Sequence, residues 1–385
     1  MARRGWLARA ILDHSLLLPA GALVALIWAN TFSASYTALA HRLEFVVNDI
    51  GMVFFFALAA KEVVEATVPG GSLHTWRRAA MPVVAAIGGM AGPALIYLAI
   101  VVLSRQPALA RGWAIPCATD IAFSYLVAKV IYRRHPAVPF LVLLAIADDA
   151  FGLIILAVFY PTGDLRPLSG VMLLGAALCV CWLLRRNRVH NFWPYVIAGG
   201  ALSWSALFLG GLHPAIALVP IIPFLPHAAR DPGLFTPAPP SARDALSEFE
   251  HWWKYPVQAI LFLFGLVNAG VPLRAVDTGT WAVLSSVLAG KPLGIGLAMA
   301  IATTAGFALP SGLGWKDIVV IGFAAAIGFT VALFFATAAF PAGSVQDQMK
   351  MGALLSVSGA IAAVGVAALL RAGRFKASPA RRPSR

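Results

Sequence analysis

What this sequence lacks first of all is charge. Only 12% of its 385 residues are Asp, Glu, Lys or Arg, while 60% are hydrophobic; an ordinary soluble domain carries about 25% charged residues. That balance excludes a globular enzyme built around one large core and fits a polytopic membrane protein. Cysteine is scarce too. Cys117, Cys179 and Cys181 all lie in apolar segments, and the last two point to different faces of a helix, so neither a disulfide framework nor a metal site is indicated. Acidic residues are the third shortage: 16 against 29 Lys and Arg, a formal charge of +13. In a soluble protein that excess would suggest nucleic acid. Here the basic residues fall in short clusters between apolar runs, the pattern of topology signals, and no nucleic-acid partner is expected.

The apolar runs are what the chain has in abundance. Twelve spans are expected, at 14–31, 47–67, 79–103, 114–131, 137–159, 168–184, 193–209, 212–226, 254–272, 279–305, 317–338 and 347–370. The fold class is therefore an all-α polytopic membrane protein whose main partner is the lipid bilayer, read as one transporter domain over residues 1–385. Arg3, Arg4 and Arg9 before Leu16–Trp28 imitate a secretory signal, but the apolar run continues and more spans follow, so a retained first span is expected. Two spans are interrupted: the fourth by Pro116 and Thr119-Asp120, the eleventh by Gly322 and Gly328-Phe329-Thr330. Such breaks are tolerated where freed backbone groups face protein or water instead of lipid. Lys291 lies inside a span, Arg42, Arg105, Arg111, Arg166, Arg274 and Lys350 flank one side, and the remaining cations flank the other. The positive-inside rule then puts both termini in the cytoplasm. Residues 227–250, rich in Pro and charge, read as a cytoplasmic linker. Residues 371–385 read as a basic, disordered tail near anionic lipid.

Against this background Asp148-Asp149 stands out, two carboxylates in a run otherwise apolar from Val138 to Phe159. One carboxylate at the centre of a membrane helix costs about 2.5–3.5 kcal/mol on insertion scales, so the pair has to be doing something. A soluble enzyme holding a metal between the two is the alternative, and the dozen apolar runs decide against it. Asp49 and Asp120 also fall inside spans, and Lys291 is read as the deep cation. Lys291 can neutralise one aspartate of the pair, leaving the other and Asp120 unpaired, so that Asp120 joins Asp148, Asp149 and Thr119 as a candidate ion- and proton-binding residue. Carboxylates that share a desolvated site, with an ammonium among them, can exchange protons near working pH. Neighbours on a helix point about 100° apart, so Asp148 and Asp149 need not do the same job. A small hard cation prefers oxygen ligands, which carboxylates, Thr119 and the freed carbonyls of a broken helix supply.

Several motifs together resemble the NhaA-type sodium/proton antiporters of bacteria. They are Gly112-Trp113-Ala114-Ile115-Pro116-Cys117-Ala118-Thr119-Asp120-Ile121-Ala122-Phe123, Asp148-Asp149, Gly290-Lys291-Pro292-Leu293-Gly294-Ile295 and Gly328-Phe329-Thr330. Ala85-Ala86-Ile87-Gly88-Gly89-Met90 and Asn268-Ala269-Gly270-Val271 belong to the same set. The resemblance runs in order from about Asn48 to the twelfth span. It implies inverted repeats that set two broken helices, spans 4 and 11, across each other, an architecture that comes from the resemblance alone. It also implies electrogenic exchange of sodium, or lithium, for protons at the bacterial inner membrane, serving pH and sodium homeostasis, with no enzyme activity and no resident cofactor.

By the same resemblance Asp149 is the principal cation and proton site, with Asp148 and Thr119 as further ligands of the monovalent cation. Asp148 pairs with Lys291 in one state and releases it in another. Asp120 balances the positive ends of the broken helices and Lys291 the negative ends. Asp49 falls on a supporting position, and Glu62, Glu65, His213 and Glu250 are candidates for pH response. Two departures stand against the family pattern. The run Lys61-Glu62-Val63-Val64-Glu65-Ala66 lacks basic partners after Glu62, so Glu62 and Glu65 are expected to repel each other with only Lys61 beside them. About twenty residues separate the first span from Asp49, which leaves no room for the β-hairpin some members use to dimerise, so the homodimer that the resemblance allows would have to form without it.

Rival readings are weaker. An intramembrane aspartyl protease needs Tyr-Asp and Gly-x-Gly-Asp motifs, and neither occurs. A passive channel has no use for a lysine coupled to carboxylates. An antiporter of another monovalent cation, or a sodium-coupled symporter, remains the nearer alternative.

Overall fold

The computed structural model describes residues 17–227 and 244–376, and every regular element among them is helical. The first span is α1 (Leu17–Thr31). The second is longer than its apolar core suggests. It starts with α2 (Ser33–Phe45), passes through a π-helical turn at Val46–Gly51 and continues as α3 (Met52–Thr67). The polar stretch before Asp49 is thus helix, because nothing in it breaks the backbone hydrogen-bond ladder.

Next come α4 (Trp76–Leu103), a 3₁₀ helix at Pro107–Cys117, α5 (Ile121–Tyr132), α6 (Ala137–Phe159), α7 (Pro167–Arg186) and α8 (Gly200–Gly210). The eighth expected span, 212–226, is not a helix. It is an irregular run with 3₁₀ turns at Pro214–Ile216 and Ile222–Phe224, since Pro214, Pro220 and Pro223 each remove a backbone donor. The remaining elements are α9 (Ala245–Asn268), α10 (Thr278–Ser285), α11 (Lys291–Thr304), α12 (Trp315–Ala325), α13 (Phe329–Ala339), α14 (Ser344–Leu355) and α15 (Ser358–Leu369). A π turn at Ser286–Gly290 joins α10 to α11.

The expected linker is corrected at its end. Residues 228–243 lie outside the described residues, but 245–250 belong to α9, started by Asp244 accepting from the Ser247 amide at 2.8 Å. Of the expected tail, 377–385 lie outside the described residues, while Ala372 is buried and Gly373–Phe375 form a 3₁₀ turn.

The exterior is apolar. Ile154 and Val158 of α6, Leu168, Val171 and Met172 of α7, and Leu297 of α11 are all more than half exposed. In water such a surface would be an aggregation liability; in a bilayer it is the lipid face. Small residues make the tightest inner seam. A Cβ on Gly92 or Gly294 would run into the backbone across the α4–α11 contact, a small-xxx-small pairing of Gly88/Gly92 with Gly290/Gly294. That close approach seats Lys291 beside the two broken spans.

Candidate functional site

The breaks in the fourth and eleventh spans cross each other. The 3₁₀ segment and α5 meet at a bend of 52°, and α12 and α13 at 49°. Pro116 cannot donate to a ladder, and Ala118 leaves the helix in an extended conformation. At the crossing a Cβ on Gly328 would lie 2.7 Å from the Ala118 carbonyl oxygen, so the contact demands glycine. The Asp120 amide donates to the Ile327 carbonyl at 2.6 Å, and the Thr119 hydroxyl donates to the Ala325 carbonyl at 3.2 Å.

Two helix N-termini and two helix C-termini therefore converge. Asp120 is buried and serves both N-termini: it accepts from the Phe123 amide at 3.2 Å and from the Thr330 amide at 3.3 Å, and also from the Thr330 hydroxyl. A carboxylate there opposes the positive ends of α5 and α13. Thr330 was legible only as part of a motif, yet it is Asp120's main partner.

Lys291, fully buried, faces the C-terminal ends. Its Nζ donates to Asp148 Oδ2 at 3.1 Å and to the Thr119 hydroxyl. Asp148 is buried as well, and its Oδ1 has no hydrogen-bond partner. Asp149, one residue on along α6, makes no hydrogen bond with the lysine and lines a cavity of about 20 Å³ together with Asp148, Thr119, Cys117, Phe56 and Phe334. That is room for one water-sized occupant. Among the described residues Asp149 makes no hydrogen bond or ion pair. The crossing thus holds a satisfied lysine, a satisfied capping carboxylate and one carboxylate aimed into a small, mostly apolar chamber.

The expected pH-response residues divide between two other places. Glu62, Glu65 and Glu250 gather on Lys61, which is itself buried: its Nζ lies 2.7 Å from Glu65, 2.6 Å from Glu250 and 3.4 Å from Glu62. The expected repulsion of Glu62 and Glu65 stands, with Lys61 beside them, and Glu250 joins it. Glu65 sits at i, i+4 from Lys61, and α9 brings Glu250 to the same ammonium, so one lysine serves three carboxylates. Nor is Lys291 alone in its depth, since Lys61 and Lys350 are also buried.

Asp49 and His213 form the second place, 4.0 Å apart. His213 Nδ1 accepts from the Ala215 amide at 3.3 Å, capping the turn at Pro214, and its ring packs on Phe334 with centroids 4.8 Å apart. Asp49 is half-buried on the π turn, where its carbonyl accepts from the Trp204 indole at 2.9 Å.

The Asn268-Ala269-Gly270-Val271 motif is a clasp. The Tyr36 hydroxyl donates to the Val267 carbonyl at 2.8 Å and accepts from the Gly270 amide at 3.0 Å. Asn48 and Asn268 exchange two side-chain hydrogen bonds, of 3.1 and 2.8 Å.

Comparison with known proteins follows the same line. The family model described as Na+/H+ antiporter 1 matches residues 8–369. The chain is 46% identical over 375 residues to the Na(+)/H(+) antiporter NhaA of Desulfitobacterium hafniense, covering 94% of this chain and 96% of that protein. It is 44% identical over 373 residues to the NhaA of Geobacter sulfurreducens, with 94% and 97% covered. Among solved structures the sodium proton antiporter MjNhaP1 of Methanocaldococcus jannaschii superposes with a TM-score of 0.59 at 16% identity, covering 96% of this chain and 99% of that one, a likeness of fold. The chain belongs to the Na+/H+ antiporter 1 family.

Proposed function

We propose that this protein is a secondary active transporter that exchanges sodium, or lithium, for protons across the bacterial inner membrane, electrogenically, in the service of pH and sodium homeostasis. The observation that carries the reading is the pair Asp148-Asp149 at the crossing of two broken helices, one carboxylate held by Lys291 and the other free beside a chamber of about 20 Å³. Asp149 is the principal cation and proton site. Asp148 and Thr119 complete the cation's oxygen ligands once the Lys291 ammonium lets go of them.

Sodium and protons then compete for the same oxygens. Either one neutralises the site, and a neutralised site can cross an apolar environment that an uncompensated charge cannot. An empty site keeps the uncompensated charge of Asp149 and switches poorly, which favours exchange over leak. Asp120 stays outside this cycle as a fixed counter-charge to the two N-termini. Residues 1–385 act as one transporter domain with both termini in the cytoplasm.

The test is sodium-induced collapse of a respiration-generated proton gradient in everted membrane vesicles. Collapse by sodium or lithium that is absent from vesicles lacking the protein supports the reading. A gradient indifferent to both ions, at demonstrated membrane expression, overturns it.

A further inference from the structure

The geometry points to Phe334 as the barrier that closes the cation chamber at Asp149 from the mouth marked by Asp49 and His213. The inference rests on the exchange reading for its purpose, though not for its test. Phe334 is buried and lines the chamber that Asp149 faces. On its far side its ring meets His213, with centroids 4.8 Å apart, and His213 Nδ1 lies 4.0 Å from Asp49. Phe56 packs edge-on at 4.8 Å and Phe264 at 6.1 Å, closing the ring's flanks. Chamber, ring, His213 and Asp49 thus form a chain of successive contacts, and an apolar ring cluster stops a hydrated ion by excluding its water.

The parts around the ring differ in how firmly they are held. Asn48 and Asn268 tie the Val46–Gly51 turn to α9 by two mutual hydrogen bonds, and Asn268 adds a third to the Phe264 carbonyl at 3.0 Å. Phe334 belongs instead to α13, a half-helix of the broken eleventh span. Its neighbour on that helix, Thr337, has a single hydroxyl proton to divide between the Leu333 carbonyl at 2.7 Å and Asn268 Oδ1 at 3.3 Å. The wall is pinned, while the element carrying the ring meets it through aromatic packing and one weak polar contact. Movement of α13 that breaks this contact withdraws the ring and opens the chamber to Asp49.

Cys117 lines the same chamber and provides a native reporter. With Cys179→Ser and Cys181→Ser it is the chain's remaining cysteine. Silver ion, a small thiol-reactive cation, is applied separately to each membrane face, using intact cells and everted vesicles. The unreacted Cys117 thiol is then counted with a maleimide after denaturation. From the face carrying Asp49, Phe334→Ala is expected to speed the reaction about tenfold or more over the parent, because removing the ring lets water through. Phe334→Val gives a smaller rise and keeps the test usable where the alanine variant fails to reach the membrane. Phe335→Ala, which also opens space at the chamber but against Tyr160, leaves that rate at the parent's value. Equal rates in parent, Phe334→Ala and Phe334→Val overturn the proposal, as does equal acceleration by Phe335→Ala. Sodium-driven proton movement recorded in the same vesicles separates the two readings: unchanged silver rates with exchange intact remove the barrier and leave the exchanger.

Discussion

Two buried lysines, each with carboxylates, sit in this molecule and do different work. Lys61 is shared by Glu62, Glu65 and Glu250, all of them partly exposed, and each carboxylate reaches the ammonium within 3.4 Å. Lys291 is fully buried, holds Asp148 and Thr119, and leaves Asp149 beside a cavity with no partner. The first arrangement fastens α3 to α9. The second keeps one carboxylate available to whatever enters. The ingredients are alike; what separates a clasp from a site is whether a charged oxygen is left over next to room for an ion.

The sharpest way to break that contrast is to remove the leftover carboxylate. Asp149→Asn keeps the shape of the side chain but loses both its charge and its proton. Sodium-driven proton movement in everted vesicles should vanish while the protein still inserts. Activity equal to the parent at matched membrane expression would sink the assignment of Asp149.

The crossing itself comes next. Gly328→Val places side-chain carbon against the Ala118 carbonyl, where a Cβ alone already lies at 2.7 Å. Overpacking of this kind typically costs about 1–3 kcal/mol. A fall in the detergent melting temperature and loss of most exchange are expected, and an unchanged melting curve contradicts the close crossing.

Lys291→Arg should be milder. Arginine still supplies a cation between Asp148 and the helix C-termini, so exchange survives, but its larger planar fork cannot repeat the ammonium's hold on both Asp148 and Thr119, so the sodium concentration for half-maximal exchange should move. An unchanged half-maximal sodium concentration would mean that the hold of Lys291 on Asp148 and Thr119 plays no part in transport.

The smallest effect on exchange is expected at the clasp. Lys61→Met leaves three carboxylates facing one another without their shared cation. The loss of stability should lie between the about 1 kcal/mol of an exposed pair and the about 3–5 kcal/mol of a buried one, because the carboxylates are partly solvated. It is read as a lowered melting temperature, with sodium-driven proton movement retained. Abolished exchange in a stable Lys61→Met protein would erase the distinction between the two clusters.

The membrane architecture was legible because bilayer burial leaves a compositional mark: long apolar runs, clustered cations, and carboxylates rare enough to be conspicuous. The broken spans were legible from Pro116 and Gly328. That Lys291 pairs with one aspartate could be anticipated, since a deep cation needs a counter-charge; that the partner is Asp148 came from the family resemblance. Other features depended on three-dimensional proximity. That Lys61 serves Glu250 follows from packing of α3 against α9, 189 residues apart in sequence, and no local pattern announces it. The 212–226 run read as a span because apolar content says nothing of helix when prolines punctuate it. Residues 32–46 read as a connection because their polarity hid the helix at Ser33–Phe45. Phe334 was one phenylalanine among 23 until its neighbours placed it between Asp149 and His213.

The account's central claim is that sodium and protons compete for Asp149, with Lys291 holding Asp148 and Thr119 until the ion arrives. Calorimetric sodium binding to the purified protein, repeated in buffers of different ionisation enthalpy, counts the protons released per bound ion. The account predicts that sodium binding releases protons from the parent protein and that both the binding and the release disappear in Asp149→Asn. Sodium binding without proton release, or the same release from Asp149→Asn, would contradict it.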